Sequence, residues 1–155
     1  FQFKRVKYSN EIGSLPSDTH ISGSLSVGDI DSYTFEAQAG EYAHIRVVDT
    51  GASAFQPRVR VYLPSGALSH TAYDSSVMVM DCYPGNTYGC QLTQTGTYRL
   101  LIEGDNGYNP GDYDIHFKRV RYTNENGHLQ NDGVVSGSIT LCDIDTYVFE
   151  AESGD

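Results

Sequence analysis

Polar and apolar residues alternate along much of the chain with a period of two, and convincing helical spacing of apolar residues is absent. Clusters of turn residues, such as QAGE, LPSGA, TQTGT and GDNGYNPGD, separate the alternating segments. Short strands at spacings of about ten residues are typical of an all-β sandwich or jelly roll. The predicted strands are Ser32–Ala37, Ala43–Val48, Pro57–Leu63, Val77–Met80, Thr97–Gly104 and Asp112–Tyr122.

The last predicted strand, DYDIHFKRVRY, has one apolar face and one polar face. The two faces are Tyr113, Ile115 and Phe117 against Asp114, His116 and Lys118. A strand of this kind turns one face to a core and the other to solvent. It continues into the following residues without a Gly/Ser-rich linker, so we expect neighbouring parts of the chain to be closely coupled.

The opening motif of the chain occurs twice, as FKRVKYSNE and as FKRVRYTNE. Aligned without a gap, residues 3–41 and 117–155 are identical at 21 of 39 positions, with a period of 114 residues. Such a period is the signature of a repeat protein, and it predicts a jelly-roll-like β-sandwich in tandem. The predicted division is the last strand of a preceding copy in 1–8, a complete copy in 9–123, and the first strands of a following copy in 124–155.

The incomplete copy is too short to bury a core by itself, and its strands would have unpaired edges. We expect it to be completed by further sequence or by another chain through strand addition, or else to fray. End-to-end association of this kind is heterologous and can propagate as a filament. The repeat therefore favours a structural function, the assembly of a surface protein or filament, with neighbouring repeats or copies of itself as partners.

Composition excludes several other classes of function. Ten basic and twenty acidic residues give a net charge of −10, so nucleic acid is not expected as a partner. The longest apolar runs are too short for a transmembrane helix, so membrane insertion is not expected. Twelve Tyr and sixteen Gly suit strands and turns better than helices.

Three cysteines bear on the compartment. Cys82 and Cys90 flank YPGNTYG, and two strand ends joined by such a turn bring the thiols within reach of a disulfide. The alternatives are two unrelated thiols or part of a metal site. A disulfide predicts an oxidising location, extracellular or on the cell surface. Cys142 replaces Gly28 of the first copy, so it is either a free thiol or a bridge to another repeat or chain.

Six of the ten basic residues lie in the two copies of the FKRV motif and just after them. The second group consists of Lys118, Arg119 and Arg121. A run of charge is commonly a solvated face. In an otherwise acidic chain, however, these residues also predict an electrostatic seam between neighbouring copies.

Four motifs resemble a known bacterial family. GSLSVGDIDSYTFEAQAGEY, FQPRVRVYLPSGAL, TGTYRLLIEG and GDYDIHF resemble, in this order, the pre-peptidase C-terminal domain, which is similar in fold to the collagen-binding domains of clostridial collagenases. The resemblance covers 13 to about 117 and resumes over 127–155. It implies a secreted, non-catalytic jelly-roll sandwich, appended to peptidases or repeated in surface proteins. The family's aspartate is often followed by Trp or Tyr, whereas Tyr33 comes two residues after Asp31.

The same resemblance implies a calcium site. Collagenase-type relatives bind calcium through acidic residues in the linker before the sandwich and in the loop with the DxD-like aspartates. Carried over to this chain, the ligands are Glu11, Asp29 and Asp31, with Asn10 as a further candidate, and calcium prefers oxygen ligands of these kinds. The alternative is structural, because Asp in a turn also caps backbone amides. Calcium is the one cofactor that the sequence suggests.

Catalytic motifs are missing from the sequence, including GxSxG, HExxH, a P-loop and GxGxxG after a strand. Asp29 and Asp31 could in principle be the two carboxylates of a glycosidase, but no aromatic subsite for a sugar is obvious around them. An enzyme is therefore not expected. Besides assembly, a second hypothesis is a ligand-binding accessory module of a secreted hydrolase, with a collagen-like peptide or a glycan as partner. A third is a chaperoning segment for a neighbouring peptidase.

Overall fold

The computed structural model describes residues 13–51, 55–74, 77–80, 91–105, 107–120, 127–139 and 145–154. In these residues the regular structure consists of β-strands and turns, so the all-β prediction is confirmed. The strands are β1 (Gly13–Ser14), β2 (Thr19–Leu25), β3 (Ile30–Ala37), β4 (Tyr42–Asp49), β5 (Pro57–Tyr62), β6 (Leu68–Tyr73), β7 (Val77–Met80), β8 (Gly96–Gly104) and β9 (Gly111–Val120).

The strands form two sheets that pack as a sandwich. One sheet has five strands in the order β1-β3-β8-β5-β6, and the other has four in the order β2-β9-β4-β7. Neighbouring strands are antiparallel except for β1 and β3, which are parallel. Strands that follow one another along the chain mostly lie in different sheets. Residues far apart in the sequence therefore meet in one core.

The core lies between the inward faces of the two sheets. Buried side chains alternate along β3, β5 and β8 of one sheet and along β4, β7 and β9 of the other. The ring of Phe35 stacks on Tyr98 with centroids 5.3 Å apart and contacts Phe117 of the opposite sheet at 4.8 Å. Full burial of a side chain of this size contributes roughly 1.5–3 kcal/mol. The predicted inward face of the last strand is confirmed, because Tyr113 and Phe117 are fully buried.

Each predicted strand overlaps an observed one, and the predicted turn in LPSGA is also present. The amide of Leu63 donates to the carbonyl of Ala67 at 2.9 Å, and Gly66 has a φ of 87° that favours glycine. The pattern did not predict β1, β2 or β6. All three are edge strands, which are covered on fewer sides than central strands and so carry a weaker alternation.

Among the described residues, no helix is long and apolar enough to cross a membrane. The predicted division into 1–8, 9–123 and 124–155 stays a prediction. Residues 1–12 and 121–126, which include the predicted limits, lie outside the described part of the chain.

Candidate functional site

The sandwich encloses a polar cluster of two tyrosines and one aspartate. Asp31 and Tyr33 lie on β3, and Tyr113 lies on β9 in the opposite sheet. The Tyr113 hydroxyl donates a hydrogen bond to Oδ2 of Asp31, and the hydroxyls of Tyr33 and Tyr113 are 2.9 Å apart. Both tyrosines are fully buried, and Asp31 is 5% exposed. Side-chain hydrogen bonds therefore connect the two sheets inside the core.

A glycine on β2 makes room for this cluster. Gly23 is opposite Tyr113 in the strand register, and a Cβ at Gly23 would overlap the ring and the hydroxyl of Tyr113. Burial raises the pKa of both tyrosines, and the hydrogen bond to Asp31 raises the pKa of Tyr113 further. Both hydroxyls are consequently protonated at neutral pH, which keeps Tyr113 a hydrogen-bond donor.

The predicted calcium ligands lie in different surroundings. The carboxylate of Asp31 is bonded to Tyr113 in the core, and Oδ1 of Asp29 accepts a hydrogen bond from the amide of Ile30 at 2.9 Å. Asn10 and Glu11 lie outside the described residues. In the part of the chain that the structure describes, no group of three or more His, Cys, Asp and Glu residues is arranged to hold a metal ion. The position of Asp31 favours the structural alternative for that residue, and the calcium site stays a prediction.

The basic residues at the end of β9 pair within their own sandwich. Nζ of Lys118 is 2.6 Å from Oδ1 of Asp18, although Lys118 is almost fully buried. The guanidinium of Arg119 donates to Oε2 of Glu41 at 3.2 Å, and the amide of Arg119 donates to the hydroxyl of Ser17 at 3.0 Å. These bonds connect the end of β9 to the loop before β2 and to the start of β4. The predicted seam between copies stays a prediction.

The outer face of the four-stranded sheet carries a histidine cluster that the sequence analysis did not single out. The rings of His20 and His116, on adjacent strands, have centroids 4.9 Å apart. Nε2 of His20 is 3.1 Å from Oδ2 of Asp114, whose Oδ1 accepts a hydrogen bond from Ser22 at 2.7 Å. The bonds from Ser22 and His20 lower the pKa of Asp114. Burial, together with the charges of His20 and Arg46, lowers the pKa of His116.

The sequence did carry one signal for this cluster. His20 and Ser22 are two residues apart, so a strand puts both on the same face. The spacing does not show that Asp114 contacts both side chains, because Asp114 lies on a strand more than 90 residues further along the chain.

A second region of interest follows β9. We call residues 127–139 and 145–154 the C-terminal segment. His128 and Val148 form an isolated parallel bridge, and the amide of Leu129 donates to the carbonyl of Val148 at 2.8 Å. The two parts of the segment are thus joined by backbone hydrogen bonds.

Large apolar side chains of the C-terminal segment are exposed. Phe149 is 69% exposed and Ile139 is 71% exposed, and Leu129 is also exposed. Single apolar residues on a surface are common, but several in one short segment mark an interaction surface. The segment is therefore the candidate assembly site of the chain.

Other predicted site residues lie outside the described part of the chain. They are Cys82 and Cys90 of the predicted disulfide, Cys142 of the predicted free or intermolecular thiol, and Arg121 of the predicted seam. The disulfide, the role of the third thiol and the oxidising compartment that the disulfide implies stay predictions.

Known structures that are similar to this chain include a domain of a collagenase and a lysozyme inhibitor. The pre-peptidase C-terminal domain of a collagenase from Bacillus anthracis superposes with a TM-score of 0.54 and 20% identity, over 75% of this chain and 100% of that domain. The Salmonella Typhimurium protein PliG, a periplasmic inhibitor of g-type lysozyme, superposes with a TM-score of 0.50 and 17% identity, over 70% of this chain and 97% of that protein.

At these identities the likeness shows the fold alone. The chain has the fold of a pre-peptidase C-terminal domain, as the sequence resemblance implied. No family profile matches the sequence, and no curated protein matches it.

Proposed function

We propose that the chain is a non-catalytic structural and assembly repeat of an extracellular bacterial or archaeal surface protein or filament. The observation that carries this proposal is a pair of equivalent residues in the two copies. Phe35 is 2% exposed in the core of the sandwich, whereas Phe149, 114 positions later in the same FEA motif, is 69% exposed. This contrast supports the proposal, because a further surface that covered the C-terminal segment would bury Phe149 as Phe35 is buried.

The backbone of the C-terminal segment supports the same proposal. Ser14 pairs in parallel with Thr34, and the amide of Leu15 donates to the carbonyl of Thr34 at 2.7 Å. The bridge and hydrogen bond between the two parts of the C-terminal segment occupy the equivalent positions. These equivalent backbone bonds support the proposal that the segment is the beginning of a second sandwich of the same kind.

Backbone conformations with a positive φ also recur after 114 residues. Asp18 has a φ of 64° and Asp132 a φ of 57°, and these are the positive-φ residues other than glycine in the described part of the chain. Gly40 and Gly154, also one period apart, have φ angles of 93° and 108°. A non-glycine residue at positive φ is uncommon, so its recurrence at one period supports a repeated fold.

The comparisons support the extracellular and non-catalytic parts of the proposal. The collagenase domain is an appended domain of a peptidase, and PliG is a periplasmic inhibitor that binds another protein. The proposal gives this chain a non-catalytic role outside the cytoplasm, as the periplasmic inhibitor PliG has.

The test is light scattering of the purified chain over a range of concentrations, with calcium and then with a chelator. We expect association that increases with concentration, and Phe149→Asp should abolish it because Phe149 would enter a core. Val134→Asp is the matched control, since its equivalent His20 lies on the outer face of its strand. A monomer at every concentration, or equal effects of both variants, would contradict assembly. Loss of association on chelation would add a metal at the junction.

A second candidate function is a ligand-binding accessory module of a secreted hydrolase. It is favoured by the exposed edge strand β6, where Tyr73 and Leu68 are exposed and the guanidinium of Arg58 lies 5.7 Å from the Tyr73 ring centroid. An aromatic side chain on the last strand of the described sheet suits an extended peptide or a sugar ring. A binding screen against collagen-like peptides and glycans tests this, with Tyr73→Ala as the variant and the exposed loop residue Tyr108→Ala as the control.

A further inference from the structure

We infer that the C-terminal segment can replace residues 13–40 in the sandwich of the same chain, so that β4–β9 accept either copy of β1–β3. The inference goes beyond the proposed function, because it concerns a rearrangement within one molecule and requires no association. In this second arrangement residues 13–40 would be released and their apolar side chains exposed.

The inward apolar positions of the two segments match. In the sandwich these positions contact strands that come after residue 41, as Phe35 does with Tyr98 and Phe117. The C-terminal segment has residues of the same kind one period later. The pairs are Leu15 with Leu129, Leu25 with Ile139, Tyr33 with Tyr147, Phe35 with Phe149 and Ala37 with Ala151.

The buried polar cluster can also be rebuilt. Tyr113 belongs to the strand that stays in place, and its hydroxyl requires an aspartate, a tyrosine and a neighbouring glycine. The C-terminal segment supplies Asp145, Tyr147 and Gly137 at the equivalent positions. In its present arrangement a Cβ at Gly137 would already meet Asp145 Oδ2 and the Tyr147 hydroxyl at 2.9 Å. Asp31, Tyr33 and the neighbouring Gly23 thus each have an equivalent in the C-terminal segment, whereas Tyr113 would be shared.

The C-terminal segment also has the residues needed for the contacts at the rim of the sandwich. Lys118 pairs with Asp18, Asp114 bonds to Ser22, and Thr97 donates to Glu36 at 2.5 Å. The equivalents of the three partners are Asp132, Ser136 and Glu150. Asp132 already has the left-handed backbone of Asp18, so the loop would dock without a change of conformation there.

Two sequence differences between the copies explain why residues 13–40, and not the C-terminal segment, pack against β4–β9. Val134 replaces His20 and cannot bond to Asp114. Cys142 replaces Gly28, which has a φ of 76° in the sandwich, a conformation that L side chains rarely adopt. Docking of the C-terminal segment is therefore the less favourable of the two arrangements.

The chain can reach the second arrangement. The amide of Arg119, at the end of β9, bonds to Ser17, and Arg119 lines one cavity of about 230 Å³ together with Ser14 and Leu15. The start of the first copy therefore lies beside the end of β9. Six residues separate Val120 from the C-terminal segment, and this length spans up to about 24 Å when extended.

The test uses three variants of the full chain, Phe35→Asp, Phe149→Asp and the double variant. We expect Phe149→Asp to leave the thermal unfolding midpoint unchanged and Phe35→Asp to keep a cooperative transition at a lower midpoint. The double variant should lose the transition. Hydrogen exchange of Phe35→Asp should show protection moving from residues 13–40 to the C-terminal segment. Loss of the transition in Phe35→Asp alone would overturn the inference.

A second pair of variants, with smaller changes in side-chain volume, tests the inference without Phe35→Asp. Leu25→Ala leaves a cavity that weakens only the first copy, and its equivalent Ile139 is exposed. We expect Ile139→Ala to be silent in the natural chain and to lower the midpoint further in the Leu25→Ala background. Strict additivity would contradict the exchange. Light scattering separates the two proposals, because exchange within one chain predicts a monomer and a dimer of Phe35→Asp would overturn it.

Discussion

The hydroxyl of Tyr113 on β9 donates a hydrogen bond to the carboxylate of Asp31 on β3, and the bond crosses the interior between the two sheets. Such a bond matters because a buried polar group without a partner is costly. It also fixes how the two sheets are placed relative to each other, since its geometry tolerates little displacement.

Replacement of Tyr113 by Phe should destabilise the sandwich by about 2–3 kcal/mol, because Asp31 then loses a buried hydrogen-bond donor. Tyr33→Phe is the matched control, since it leaves the bond between Tyr113 and Asp31 intact, and we expect a loss of about 1 kcal/mol. Urea denaturation followed by tyrosine fluorescence measures both. Equal losses in the two variants would contradict a special role for the bond to Asp31.

Replacement of Gly23 by Ala should cost about 1–3 kcal/mol, because the added methyl overlaps the Tyr113 ring and the closely packed core must shift. Ser24→Ala, at the next position and on the exposed side of the same strand, is expected to stay within about 0.5 kcal/mol of the natural chain. Thermal unfolding of the two variants under identical conditions makes the comparison. A silent Gly23→Ala would mean that Tyr113 does not pack against β2.

Stability should fall as the pH drops from neutral, because of His116 and Asp114. The pKa of His116 is lowered by burial, so the unfolded chain binds its proton more readily, and stability declines once the pH falls below the ordinary value of about 6.5. The lowered pKa of Asp114 adds a second decline as the pH falls below about 4. Urea denaturation at a series of pH values measures both.

The variant for this prediction is His116→Gln, which should flatten the first decline while leaving the second in place. His128→Gln serves as the control, because His128 lies in the C-terminal segment and not in the histidine cluster. If the two variants have the same pH profile, the histidine cluster is not the cause of the dependence.

Cys82 and Cys90 should form a disulfide when the chain is made in an oxidising compartment. Alkylation without reductant, followed by intact mass measurement, should label one of the three thiols. Reduction should then lower the stability by about 2–3 kcal/mol, because a short closed loop restricts the unfolded chain. Three labelled thiols before reduction would exclude both the bridge and the argument for an oxidising compartment.

Much of the fold followed from the alternation of side chains. A strand that buries one face shows its period directly, and for this reason the core strands β3, β4, β5, β8 and β9 were predictable from the sequence. The edge strands β1, β2 and β6 were not, because little of their surface is buried, although the edge strand β7 was predicted. Lys118 is a related case, since alternation put it on the polar face, whereas in the structure it is almost fully buried and its ammonium group pairs with Asp18.

The sequence by itself determined the all-β class, the resemblance to the pre-peptidase C-terminal domain and the repetition of the first segment. It did not determine the direction in which the Asp31 side chain points. A motif of two aspartates in a turn is equally compatible with a carboxylate that binds a metal and with one that lies in the core. That direction depends on Tyr113, 82 residues away, and is decided only when the sheets pack. In the same way, Phe35 and Phe149 lie in identical FEA motifs, and tertiary structure alone makes one a core residue and leaves the other exposed. Local alternation shows which side chains share a face, but whether that face is buried depends on the strands that surround it.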